Sequence, residues 1–185
     1  RIALSTPSMK KRALSLSTGL GPIMAIKPKR GITHVDKKNR PGMVDVSDKA
    51  VTHRTAVARA VVELPRAVQA LLQGDDLRSP KGPVFQTAII AGTQAVKRTS
   101  DLIPFCHPLP IESCRIAIAL SKKGEAVITC TVSLHHKTGV EMEAMTGAAV
   151  AALTVYDMCK GVSHDMVIRE VQLLEKTGGK SDVRR

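Results

Sequence analysis

The 185-residue chain is long enough to bury one ordinary hydrophobic core, 43% of its residues are apolar or aromatic, and its four cysteines are not needed as staples. Its formal charge of +12 invites a nucleic-acid or acidic-membrane partner, but residues 1–30 hold seven Lys or Arg and no acid, which leaves a surplus of only +5 for the rest. That remainder suits an anionic small molecule. RNA is the weaker alternative, because Phe85, Phe105 and Tyr156 are the only Phe, Tyr or Trp residues available to stack on bases.

Cys106, Cys114, Cys130 and Cys159 are scattered singly, without a C-x-x-C pair, which fits a reducing compartment and no structural zinc. No apolar run reaches the ~18 to 20 residues of a membrane span, so no membrane partner is expected.

Taken in chain order, residues 1–31 read as a disordered basic leader or linker, rich in Ser, interrupted by Pro and Gly, and lacking periodicity. The chain starts with Arg, so a processed or excised piece is expected, its leader resembling a transit peptide or an interdomain linker. Residues 32–185 form the expected folded domain. Within it, Met43 to Ser47 and Arg54 to Leu64 alternate as strands do. Pro65 opens a short helix through Leu72, closed by Gly74, and a polar loop runs to Pro80. Val84 to Lys97 places Phe85, Ala88, Ile89, Gly92 and Val96 at helical spacing, and the stiff turn Ile103 to Pro108 follows.

Ile111 to Leu120 and Ala126 to His135 alternate on either side of Lys122-Lys-Gly-Glu125, which predicts a hairpin. Glu141 to Lys160 is the longest expected helix, and Met166 to Glu175 the last strand. Setting the short extra helix aside, the order from Arg54 is strand, helix, strand, strand, helix, strand. The expected class is α+β, a ferredoxin-like antiparallel sheet with helices on one face.

Asp157 and Lys160 share a face of the long helix, three residues apart. In isolation such a pair is most often a weak surface contact, but the alanines upstream suggest close packing and a partly buried lysine poised for proton transfer. Glu141 and Glu143 in the first turn either complement the helix dipole or, with a nearby base, hold a purine edge or metal. Lys81-Gly82 ahead of the second helix is weak evidence for a phosphate site.

His107, stiffened by Pro108, is a directed turn residue, and adjacency alone does not make Cys106 its nucleophile. His135 and His136 point to opposite sheet faces, which argues against joint metal ligation. Gly178-Gly179-Lys180 suits either a phosphate wrap or a chain release.

The strings MVDVSDKA from Met43, KGPVFQTAIIAGTQAVKRTSDLIPFCHPL from Lys81, KTGVEMEAMTGAAVAALTVYDMCKGVSHDM from Lys137 and KTGGKS from Lys176 resemble the cyclic pyranopterin monophosphate synthase family of molybdenum cofactor biosynthesis. The resemblance covers Ile32 to Ser181. It departs at the terminal KSDVRR and in the basic leader.

The resemblance implies a lyase that turns a cyclised dihydro-GTP, made by a partner radical SAM GTP 3′,8-cyclase, into cyclic pyranopterin monophosphate with loss of diphosphate. It implies a homohexamer, a trimer of dimers with active sites at subunit interfaces. No cofactor or protein-bound metal is required, Mg²⁺ being open as a companion of the triphosphate. Carried onto this chain, the catalytic positions fall on Lys81, Asp157 and Lys160. His107, Glu141, Met142, Glu143 and Lys176 line the substrate site, and Arg54 reaches in from a neighbouring subunit. Location follows source: the mitochondrial matrix for a eukaryotic form, the cytoplasm for a bacterial one. A non-catalytic oligomeric scaffold, built on the alanine-rich helix, is the other rival.

Overall fold

The computed structural model describes residues 40–185, so the leader over residues 1–31 lies outside the described residues. The sheet is organised by β1 (Thr52–Glu63), whose alternating small residues Ala56, Ala58, Ala60 and Val62 are wholly buried beneath the helices. Small side chains on this face let helices approach closely, and the alternation forbids a one-residue slip because that would expose the whole set.

Strand β1 pairs antiparallel with β6 (Glu125–His136) on one side and β7 (Val167–Thr177) on the other. Strand β5 (Ser113–Leu120) closes one edge, and the two-residue β8 (Val183–Arg184) borders β7. The order β5-β6-β1-β7-β8 is the ferredoxin-like arrangement with one short strand added.

Helices α2 (Val84–Val96) and α4 (Glu141–Cys159) both lie on the sheet face formed by Ala56, Ala58, Ala60, Ile128, Cys130 and Val132. They meet at Gly92 and Gly147. A Cβ on Gly92 would stand 2.7 Å from the Gly147 carbonyl oxygen, and one on Gly147 would stand 2.5 Å from a Val96 methyl and 2.7 Å from Cys130 Sγ. The alanines of α4, among them Ala144, Ala148, Ala151 and Ala152, face this core. No helix among the described residues is long and apolar enough to cross a membrane.

Four local expectations need correction. Met43 to Ser47 is not a strand: Asp45 Oδ1 accepts hydrogen bonds from the Ser47 N–H (2.8 Å) and hydroxyl (2.6 Å), and the Lys49 N–H bonds Val46 O (3.1 Å). Local side-chain turns of this kind outcompete an alternating pattern that has no strand to pair with.

The helix from Pro65 is only α1 (Arg66–Gln69), because Leu72 and Gln73 form β2 (Leu72–Gln73) and pair with β3 (Asp76–Ser79) as Leu77 becomes fully buried. The polar loop to Pro80 is therefore a small three-stranded sheet completed by β4 (Gly82–Pro83). A further short helix, α3 (Thr99–Leu102), precedes the proline-rich turn, so two short helices accompany the fold rather than one.

Candidate active site

The C-terminal end of α4 carries Asp157 with each carboxylate oxygen taken by a different lysine. Lys160 Nζ lies 2.8 Å from Oδ1 and Lys81 Nζ 2.7 Å from Oδ2. Lys160 arrives from one turn along the same helix. Lys81 arrives from the β3–β4 hairpin and also donates to the Asp157 backbone carbonyl at 3.0 Å, one of the acceptors that a helix end leaves unpaired.

The hydrogen bonds from Lys160 and then Lys81 hold the Asp157 carboxyl down to about 2. The same contact with Asp157 raises Lys160 above the ordinary lysine value, outweighing desolvation. Lys160 is thus a half-exposed ammonium in this chain, with side-chain exposure of 49%, and of the two opposing influences expected on a partly buried lysine the carboxylate prevails over desolvation. The alanines face the core, whereas Asp157 and Lys160 leave the helix on its open side. Just upstream, the Tyr156 hydroxyl donates to the His164 carbonyl at 3.3 Å.

The opposite end of α4 gathers a second group. Glu141 accepts from Lys176 Nζ at 2.9 Å, both being partly buried. Arg54, on the helix face of β1, donates from Nε to His136 O (3.2 Å) and from Nη2 to Lys137 O (3.4 Å), which fixes its guanidinium at the end of the sheet. The turn after β7 presses onto the same strand: Thr52 Oγ1 donates to Gly178 O at 2.7 Å, and a Cβ on Gly179 would stand 3.0 Å from Arg54 Nη1. A Cβ on Gly178 would meet the His53 carbonyl oxygen at 1.8 Å, and its φ of +83° independently demands glycine.

Met142 is exposed beside Glu141, and Glu143 is buried with only 4% of its surface accessible. Burial, reinforced by the charge of Glu141, pushes the Glu143 carboxyl up to about 7. Its charge in turn acts on Cys106, so the turn bearing Cys106 and His107 lies beside this end of α4. Burial first and Glu143 second raise the Cys106 thiol, an environment opposite to that of an activated nucleophile.

The nine expected residues thus divide into two clusters. Lys81, Asp157 and Lys160 stand at one end of α4, and Glu141, Met142, Glu143, Lys176, Arg54 and the His107 turn at the other. Sixteen residues of helix separate Glu141 from Asp157, about 24 Å at helical rise. His135 and His136 do not act together: His135 bonds Glu112 at 2.9 Å, whereas the buried Nδ1 of His136 has no partner. Among the described residues no group of three or more His, Cys, Asp or Glu side chains is placed to hold a metal ion.

Two contributors escaped the sequence. Lys137 Nζ donates to Ser47 O at 2.6 Å, which ties the segment before β1 to the entrance of α4. Asp76 caps α2 from nine residues away, accepting from Phe85 N at 2.7 Å and Gln86 N at 3.3 Å. No short spacing announces a cap delivered from another element.

A model of the MoaC family matches residues 43–179, a span that includes every residue of both clusters. The chain belongs to the MoaC family. A cyclic pyranopterin monophosphate synthase of Xanthomonas axonopodis pv. citri is 57% identical over 152 residues, which cover 82% of this chain and 92% of that one. A molybdenum cofactor biosynthesis bifunctional protein of Synechocystis is 53% identical over 82% of this chain but 45% of its own length. In Dictyostelium discoideum, molybdenum cofactor biosynthesis protein 1 is 48% identical over 80% of this chain and 26% of its own. The MoaC unit therefore occurs both nearly alone and as a minor part of longer chains.

Proposed function

We propose that this MoaC chain is a lyase converting (8S)-3′,8-cyclo-7,8-dihydroguanosine 5′-triphosphate to cyclic pyranopterin monophosphate with release of diphosphate, an early step of molybdenum cofactor biosynthesis. The named relatives support the activity. The observation that supports a role for the α4 terminus is the double lysine grip on Asp157.

Rearranging a purine-derived base needs proton donors and acceptors, and a departing diphosphate needs nearby cations. Lys160, oriented by its ion pair with Asp157, is the proton donor. Lys81, fastened by two hydrogen bonds to Asp157, keeps the aspartate oriented and offers its positive charge to the phosphate chain. At the other cluster, Arg54, Lys176 and His107 receive the triphosphate, and Glu141 to Glu143 orient the base. No cofactor takes part, and a Mg²⁺ ion would travel with the phosphates rather than with a protein site.

A single substrate of nucleotide size does not bridge about 24 Å of helix. Each site is accordingly completed by two copies, the Lys81–Asp157–Lys160 end of one meeting the Glu141–Lys176 end of another, within a hexamer built as a trimer of dimers. The longer relatives, in which the MoaC unit is the smaller part, fit a fused partner that makes the cyclised substrate.

Diphosphate release from the cyclised nucleotide tests the activity directly, and unaltered release by Lys160→Ala would sink the assignment of the proton donor. Mixing inactive Lys160→Ala and Lys176→Ala chains tests the shared site. Activity returns in the mixture if sites are composite, and stays absent if each site belongs to one chain.

A further inference from the structure

Lys81 sits at the tip of a tight hairpin whose construction exceeds what a surface loop requires. Strands β3 and β4 pair through Arg78 with Pro83 and Ser79 with Gly82, which leaves Pro80 and Lys81 as the only residues of the turn. The Ser79 hydroxyl, almost fully buried, accepts the Lys81 backbone N–H at 3.1 Å and donates to Gly82 O at 3.3 Å. Gly82 follows at φ +110°, which only glycine adopts without strain. The turn is thus closed from inside by one side chain, and its backbone has little freedom.

Asp76, at the base of the same hairpin, is 6% exposed and spends both oxygens on the N–H groups of Phe85 and Gln86 in the first turn of α2. Pro83 stands at the N-cap position of α2 and makes no side-chain cap, so Asp76 is the cap. Its charge also reaches Cys159, buried at the end of α4 two residues beyond Asp157. One buried carboxylate therefore joins the hairpin that presents Lys81 to α2 and lies beside the helix end that presents Asp157.

We propose that Ser79 and Asp76 are positioning residues for Lys81: they fix the hairpin so that the Lys81 ammonium meets both the side chain and the backbone carbonyl of Asp157. The small sheet β2-β3-β4, which has no part in the main sheet, serves as the mount. This rests on the role proposed above for Lys81, orienting Asp157 and offering its charge to the phosphate chain, and misplacing a catalytic group by an ångström costs on the order of 100-fold in rate.

Three variants and two readouts decide it. Steady-state turnover of the cyclised nucleotide gives kcat and KM. Modification of Lys81 by an amine-reactive anhydride, followed by peptide mass analysis, gives the freedom of its ammonium without substrate. In Ser79→Ala, kcat falls about 10- to 100-fold with KM nearly unchanged, and Lys81 is acylated faster than in the parent. Ser79→Thr keeps the hydroxyl and restores both values. Asp76→Asn, which keeps one acceptor for α2, falls between them.

Parent-like kcat and acylation in both Ser79→Ala and Asp76→Asn would overturn the proposal. A fall in Ser79→Thr as large as in Ser79→Ala would overturn it too, since volume rather than the hydroxyl would then matter. Lys81→Ala separates this from the functional assignment. If that variant turns over normally while Ser79→Ala still frees Lys81, the mount is real and the role given to Lys81 is wrong.

Discussion

Gly92 of α2 and Gly147 of α4 face one another so closely that a Cβ on Gly92 would stand 2.7 Å from the carbonyl oxygen of Gly147. The two helices cross almost backbone to backbone, over a sheet face that β1 lines with alanine. A methyl at Gly147 meets Val96 and Cys130 inside the core, where neighbours cannot swing away. Gly147→Ala should lower unfolding free energy by about 1 to 3 kcal/mol, measured by urea denaturation.

At the C-terminal end of α4, removing the ammonium of Lys160 leaves Asp157 with Lys81 alone. Lys160→Ala should reduce diphosphate release by about 10²- to 10⁴-fold while the thermal midpoint moves little, because the side chain is half exposed. Asp157→Asn should also lose activity, since the amide can no longer accept ion-paired hydrogen bonds from Lys160 and Lys81 at once and so no longer fixes where the two ammonium groups stand. Rates from stopped diphosphate assays and melting curves on the same preparations check both.

Glu143 makes stability pH-dependent. Its carboxyl titrates near 7 in the fold against 4.5 when free, so between those values the folded chain binds more protons than the unfolded one. Stability therefore falls as pH rises from about 4.5 to 7 and levels off above that. Glu143→Gln should remove this slope and gain on the order of 1 to 3 kcal/mol at pH 8, which denaturant melts across the pH range will show.

Gly178 is pinned by sterics and by backbone conformation. Gly178→Ala drives a methyl into the His53 carbonyl oxygen and asks alanine to hold φ +83°. The turn should lift from β1, lose the Thr52 hydroxyl bond and release the ground beside Arg54. The expected result is a KM raised about tenfold, equal to ~1.4 kcal/mol, with a smaller change in kcat.

Much of this architecture was legible in the sequence because it is periodic. The alternation through β1, β5, β6 and β7 and the long alanine-rich helix reflect burial on one face, and a period of two or 3.6 survives without tertiary information. Lys160 and Asp157 were visible together for the same reason, being three residues apart on one helix. What was not legible depends on contacts between distant segments. The Met43 to Ser47 alternation lost to an Asp45 side-chain turn, and the β2-β3-β4 sheet is too short to show a period. Lys81 could be matched to a motif, but its approach to Asp157, seventy-six residues away, requires the fold. The long motif strings signalled the family, whereas the distance between the two ends of α4 emerged only in three dimensions.

The chain has a single tyrosine and no tryptophan, and that tyrosine is Tyr156, the residue immediately before Asp157. It lies in the last turn of α4, where its hydroxyl bonds the His164 carbonyl and it acts electrostatically on Lys160. Tyrosine emission from these 185 residues consequently originates at one position in each copy, close to Lys160. Binding, pairing of copies or rearrangement at that end of the helix can be followed by tyrosine fluorescence without any introduced dye, and Tyr156→Phe supplies the dark control.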